Sequence, residues 1–253
     1  MCKEILMKIQ IFSDVHEDLS QIQIQDEADI VVNAGDFAIS EHGINEIIKF
    51  ARLCDKHNKP HIAVLGNHDY YGYTYRAQII QTLKKQGVNL LLINEPFVLD
   101  GITFVGDTLF TNFYNKGVDT VQAQLQAQMG INDFRGFIRN EFGDFITPTD
   151  YIRYFNAHWD YIQNYRHKEN VVVVTHFAPS LACIAEKWIG NRLNPYYVND
   201  LDLTGFKTWI CGHVHQTAHL IDKGCNIHIN ASGYSSGDIR ECNDFNANYL
   251  IEV

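Results

Sequence analysis

At 253 residues and 46% hydrophobic content, the chain has material for one large α/β domain or two small ones, and ample apolar residues for a core. Its 20 Lys and Arg against 30 Asp and Glu give a net charge of −10, which argues against a surface built to track long nucleic acid or an anionic membrane. No run approaches the ~20 apolar residues of a membrane span, and Met1-Cys2-Lys3-Glu4 lacks the apolar core of a secretory signal, so a cytoplasmic protein is expected.

The six cysteines are scattered without a Cys-x-x-Cys pair, which favours buried thiols over a zinc ribbon or a disulfide framework. In chain order, Lys8-Ile9-Gln10-Ile11-Phe12 alternates polar and apolar residues as a strand does, and Ser13-Asp14-Val15-His16 follows as a polar turn. Asp14 and His16, two apart, can face one side, as a metal ion requires. Asp29 to Ala34 predicts a strand covered on both faces, ending at Gly35-Asp36. Gly43 to Asn58 places Ile44, Ile47, Ile48 and Ala51 at helical spacing, and Lys59-Pro60 closes it. The next strand, Ile62 to Leu65, runs into Gly66-Asn67-His68-Asp69, where glycine allows close approach and three polar side chains leave the sheet edge together. Strand, helix, strand is a βαβ unit, and ligands collect at the carboxyl ends of its strands.

Tyr70, Tyr71, Tyr73 and Tyr75 follow, and packing of this loop against the body is preferred over stacking on a base or sugar. A helix carrying Ile79, Ile80 and Leu83 ends near Gly87, and Val88 to Ile93 and Ile102 to Val105 read as strands. From about 112 to 168 the texture predicts a mainly helical insertion within a single domain spanning 1–253. Val118, Val121, Leu125 and Met129 are spaced as one helix face, and Ile152, Phe155, Trp159 and Ile162 as another, with Thr149 as a cap after Pro148. Between them Asn132-Asp133-Phe134-Arg135 is a polar and aromatic break, with Arg135 a candidate for a surface ion pair or a phosphate contact. Val171 to Thr175 delivers His176, and Thr208 to Cys211 leads to Gly212-His213-Val214-His215. A His-x-His pair after a strand and a glycine is the sharpest single metal signal in the chain. Asn226 to Asn230 and Tyr249 to Val253 read as closing strands.

Five strand ends thus carry Asp, His or Asn. If those strands are neighbours, Asp14, His16, Asp36, Asn67, His176, His213 and His215 converge on one edge. Carboxylate, imidazole and carboxamide donors without a thiolate suit Mn²⁺, with Fe, Zn²⁺ and Ni²⁺ as alternatives, in a hydrolytic site rather than a structural cage. The donors exceed what one ion needs, so two ions about 3.5–4 Å apart, bridged by one carboxylate and holding a hydroxide, are expected to hydrolyse a phosphoester.

Asp14-x-His16, Gly35-Asp36, Gly66-Asn67-His68-Asp69, His176 and Gly212-His213-x-His215, in this order over residues 14 to 215, resemble the signatures of the calcineurin-like metallophosphoesterases, and the middle segments resemble a bacterial and phage subgroup. The resemblance implies an α/β fold, a four-layer α/β-β/α sandwich with two central mixed sheets. It implies that Asp14, His16, Asp36 and His215 hold one ion and Asp36, Asn67, His176 and His213 the other, with Asp36 as bridge. It also implies that His68 is the general acid or a donor to the phosphate, with Asp69 orienting its ring. The expected substrate is a small phosphorylated molecule, a monoester or diester, nucleotide-like compounds included. A nuclease would need a basic groove. A non-catalytic scaffold of the same fold would purify without stoichiometric metal.

Overall fold

Alternation within the strands decides the architecture. In Val171-Val172-Val173-Val174, Val172 and Val174 join a cluster with Ile9, Ile11, Ile30, Val32 and Ile210, whereas Val171 and Val173 join a larger one with Ile47, Phe50 and Phe155 from helices. Because successive side chains of a strand point to opposite faces, the first cluster lies between two sheets and the second between the sheets and their helices.

The structure, a computed structural model, describes residues 6–16, 19, 22–37, 43–72, 76–236 and 239–253. Its elements are β1 (Lys8–Phe12), β2 (Ile30–Asn33), α1 (Gly43–Lys56), β3 (His61–Ala63), α2 (Arg76–Lys85), β4 (Phe97–Leu99) and β5 (Ile102–Asp107). Then come α3 (Thr120–Gly130), α4 (Pro148–Gln163), β6 (Val171–Thr175), α5 (Asn194–Tyr197), β7 (Thr208–Cys211), β8 (Thr217–Asp222), β9 (Cys225–Asn230), β10 (Ser235–Ser236), β11 (Ile239–Arg240) and β12 (Leu250–Glu252).

One sheet has the order β12-β1-β2-β3, parallel except for β12. The other has the order β4-β5-β6-β7-β9-β8, parallel from β5 to β9 with antiparallel edge strands. Two mixed sheets packed face to face with helices outside are the α/β-β/α sandwich expected. A parallel bridge between Ser13 and Ala231 joins the ends of β1 and β9, so the carboxyl ends of both sheets meet at one place.

Several local expectations are corrected. Val88 to Ile93 is not a strand; Leu90 and Leu92 form only isolated bridges, to Ala63 and Glu95. β4 and β8 are edge strands without a fully buried residue, and neither was expected. The cap of α4 is Thr147, not Thr149: Thr147 Oγ1 accepts from Asp150 N and the Asp150 side chain accepts from Thr147 N, with Pro148 inside the first turn. The apolar face of α3 points outward, with Val121 66%, Leu125 55% and Met129 77% exposed. Ala123 and Ala127 face inward instead, because their small side chains let α3 approach α4 and α5 closely. Arg135 reaches no site; its Nη2 donates to Met129 O at 2.6 Å, at the end of α3. Among the described residues no helix is long and apolar enough to cross a membrane.

Candidate metal centre

Each strand end that the sequence singled out arrives at the junction of the two sheets: Asp14 and His16 after β1, Asp36 after β2, Asn67 after β3, His176 after β6, and His213 and His215 after β7. The backbone there is bent sharply. Asp14, His16, Asp36, His213 and His215 have φ of 52, 45, 56, 69 and 41°, a left-handed region that costs non-glycine residues energy and clusters at functional sites. Two of the glycines before the polar residues are explained by crowding. A Cβ on Gly66 would lie 2.0 Å from Asp36 Oδ1, and one on Gly212 would lie 2.6 Å from Asp14 Oδ2. Glycine therefore lets one strand end touch the carboxylate of another.

Two groups of side chains result. Asp14, His16 and His215 form the first, and Asp36, His176 and His213 the second, with the ligand atoms of each group within 4.8 Å of one another. Asn67 Oδ1 joins the second, 3.2 Å from His176 Nε2. Asp36 Oδ2 lies 3.3 Å from His176 Nε2, and Asp36 O accepts from His16 N at 3.2 Å, so Asp36 touches residues of both groups. Backbone amides hold the carboxylates: His68 N donates to Asp36 Oδ1 at 2.9 Å, and His213 N to Asp14 Oδ1 and Oδ2 at 3.1 and 3.0 Å.

The donor set fits a cation in each group. His176 Nδ1 donates to Ala34 O at 2.7 Å, which turns Nε2 toward the Asn67 and Asp36 oxygens, where a cation would take the place of its proton. In the same way His215 Nδ1 donates to Glu241 Oε2 at 2.7 Å, and its Nε2 lies 3.1 Å from His16 Nε2. His213 Nε2 is buried without a hydrogen-bond partner. Lone pairs gathered at such distances repel unless a positive charge lies among them.

Protonation of the free site follows the same logic. Burial opposes protonation of His176 and His215, yet the Asp36 and Asp14 carboxylates outweigh it and hold them at about 9 and about 10. The partners reciprocate: against burial, His215 and His176 hold Asp14 at about 2, and His176 holds Asp36 lower still. Burial wins at His16, lowered to about 4, and at His213, lowered well below its ordinary value.

Asp69 departs from expectation. Rather than orienting His68, its Oδ2 accepts from Asp36 N at 3.0 Å and Gly66 N at 2.8 Å, and its Oδ1 accepts from Phe37 N at 2.9 Å. The short 3₁₀ turn His68–Tyr70 turns the carboxylate inward, where burial and the Asp36 charge push it up to about 7. The polar partner of His68 is Tyr234, whose Oη lies 3.1 Å from His68 Nε2 and whose ring stacks on His16. Tyr234, Glu241 and Asp133 were missed as members of the site, because each reaches it from a segment whose local pattern is only a turn or a polar break. Asp107, another strand-end carboxylate, stays outside: it pairs with Arg76 and lies 3.8 Å from His158 Nε2.

A cavity of about 480 Å³ opens over Asp36, Asn67, His68, His213 and His215. Its further walls include Tyr71, Trp188, Leu193, Tyr196 and Tyr197, and among the described residues no lysine or arginine lines it. Tyr70 is buried and hydrogen-bonded to Thr108 Oγ1 at 2.7 Å, whereas Tyr73 and Tyr75 lie outside the described residues.

Residues 7–217 match the family of calcineurin-like phosphoesterases. An uncharacterized protein of Acanthamoeba polyphaga mimivirus is 28% identical over 215 residues, 75% of this chain and 72% of that protein. The crystal structure of a phosphopantetheinyl hydrolase from Mycobacterium tuberculosis superposes with a TM-score of 0.64 at 14% identity, covering 90% of each chain, a likeness of fold. With a family match that runs through both ligand groups, the chain belongs to the calcineurin-like phosphoesterases, metal-dependent hydrolases of phosphoric esters.

Proposed function

We propose that this chain hydrolyses a small phosphomonoester or phosphodiester, with the phosphoryl group over the two ligand groups and the organic group in the adjoining cavity. The carrying observation is that Asp36, Asn67, His213 and His215 form the floor of the same cavity whose walls are Tyr71, Trp188, Leu193 and Tyr196. Asp14, His16, Asp36 and His215 would hold one divalent ion, and Asp36, Asn67, His176 and His213 the other. Bound there, such ions supply a nucleophile at neutral pH and stabilise charge on the phosphoryl oxygens. Mn²⁺ is the ion proposed, from the oxygen and imidazole donors.

His68 has its backbone committed to Asp36 and its ring at the cavity. Its Nε2, beside Tyr234 Oη, would give a proton to the leaving oxygen. The aromatic walls favour an uncharged, ring-bearing organic group, since they offer planar faces. The missing lysine and arginine count against a nuclease, which needs cations along a backbone. Ile131 and Asp133 bring the helical segment of about 112–168 to the cavity wall, so we read it as a cap on a single domain. The described cysteines, Cys54, Cys183, Cys211, Cys225 and Cys242, are free thiols, which supports a cytoplasmic location.

The test is hydrolysis of a chromogenic phosphodiester and its matching monoester by metal-stripped protein with Mn²⁺ restored, alongside Asp36→Asn. Metal-dependent turnover of one ester, lost in the variant, is the expected result. Absence of both turnover and bound metal would replace this reading with the scaffold.

A further inference from the structure

We infer that Asp133 is a positioning residue for the metal centre: its carboxylate holds the Asn67 carboxamide with the oxygen, not the NH₂, turned toward the second ligand group. The inference rests on reading Asn67 as a ligand.

Asp133 lies in the 3₁₀ turn Asn132–Arg135, 1% exposed. Its Oδ1 accepts from Tyr71 Oη at 2.6 Å and Asn67 Nδ2 at 3.1 Å, and its Oδ2 from Tyr151 Oη at 2.5 Å and Tyr196 Oη at 2.6 Å. Four donors on two oxygens leave the buried carboxylate satisfied. Packing alone does not call for such a group, because a buried ionic cluster replaced as a whole by apolar side chains of similar volume often loses no stability. What only an acceptor can do is choose which end of a carboxamide faces it.

That choice decides which Asn67 atom a cation would meet. With His176 Nδ1 donating to Ala34 O, its Nε2 faces Asn67 Oδ1 at 3.2 Å. A flipped Asn67 would turn its NH₂ toward the second group and its oxygen toward the Asp133 carboxylate. Asp133 forbids the flip, so the second group keeps an oxygen where a cation needs one. The phenols keep this acceptor in place, since burial, then the Asp133 charge, pushes Tyr71, Tyr151 and Tyr196 well above their ordinary range and keeps them protonated; Tyr196 Oη also accepts from Asn67 Nδ2, at a longer 3.4 Å. Tyr71 and Tyr196 also line the cavity, so the same carboxylate fixes the pocket wall.

The experiment is calorimetric titration of metal-stripped protein with Mn²⁺, comparing wild type, Asp133→Leu, Asp133→Asn and Asp107→Asn, with melting temperatures measured in parallel. Wild type should take up two ions. Asp133→Leu should bind one of them about 10- to 100-fold more weakly. Asp133→Asn, whose carbonyl still accepts from Asn67, should recover most of that loss. Asp107→Asn removes a buried ion pair away from the centre and should melt lower with affinities unchanged. The inference falls if Asp133→Leu binds both ions as wild type does, if Asp133→Asn loses as much as Asp133→Leu, or if affinity in Asp107→Asn declines with its melting temperature. Should wild type bind no ion, the reading of Asn67 fails first and the inference with it. If Asp133→Leu does not fold, a crystal structure of the Mn²⁺-loaded wild type decides: Asn67 Oδ1 on the ion and Nδ2 on Asp133 is expected, and any other orientation overturns it.

Discussion

The Asp69 carboxylate accepts the backbone N–H of Asp36 at 3.0 Å, so one acid of the site holds the strand end that carries another. Its remaining bonds go to Gly66 N and Phe37 N. Asp69→Ala would strand three buried donors, each costing about 1–3 kcal/mol. Denaturant unfolding should show a loss of about 3 kcal/mol or more. Unchanged stability with a lowered kcat would restore the role of orienting His68.

His215 Nδ1 is held by Glu241 Oε2 at 2.7 Å, a carboxylate behind a candidate ligand imidazole. Such partners fix the ring and its tautomer, and their loss lowers metal affinity about 10- to 100-fold. Glu241 is partly exposed, so Glu241→Ala should fall near the lower bound, with its melting temperature close to wild type. Metal titration beside thermal unfolding checks both halves.

His68→Asn should leave both ions bound while slowing esters with poor leaving groups by about 10²-fold or more, and good leaving groups far less. Rates across a series of aryl and alkyl esters provide the check. Equal slowing throughout would remove the proton from His68.

Acid should weaken the fold at a place distant from the metal centre. Burial lowers His158 to about 4, and its Nδ1 accepts from Leu109 N at 3.0 Å, so it is folded neutral. Below its ordinary value near 6.5 the unfolded chain takes up a proton that the folded chain refuses, so stability falls as pH drops from there toward 4. By pH 4 the loss is about 3 kcal/mol from this residue. Asp107, held low by Arg76 and His158 against burial, adds a further loss only below the ordinary carboxylate range. Unfolding free energies of wild type and His158→Gln should therefore converge as pH falls from 6.5 to 4; parallel curves would refute it.

The candidate ligand residues were legible because each is announced locally. β6 is Val171-Val172-Val173-Val174-Thr175 followed at once by His176, and β7 is followed by Gly212-His213. A short apolar run that ends in a polar side chain, with or without a glycine before it, needs no distant partner to be recognised. The strand at β4 was not legible, since Phe97, Val98 and Leu99 are all apolar, and only the fold turns Phe97 and Leu99 to the core and Val98 outward. The face of α3 misled for a related reason: periodicity names an apolar stripe without saying which side is inward.

By itself the sequence determined the strands that carry the site, the family and the seven candidate donors, because these depend on short apolar runs that end in polar side chains. Tertiary structure alone decided what stands behind the donors. Asp133 meets Asn67 across 66 residues, Asp69 meets Asp36 across 33, and Glu241 meets His215 across 26. Each of those carboxylates comes from a turn or an irregular segment with no period of its own, and only the docking of one element on another tells it what to accept.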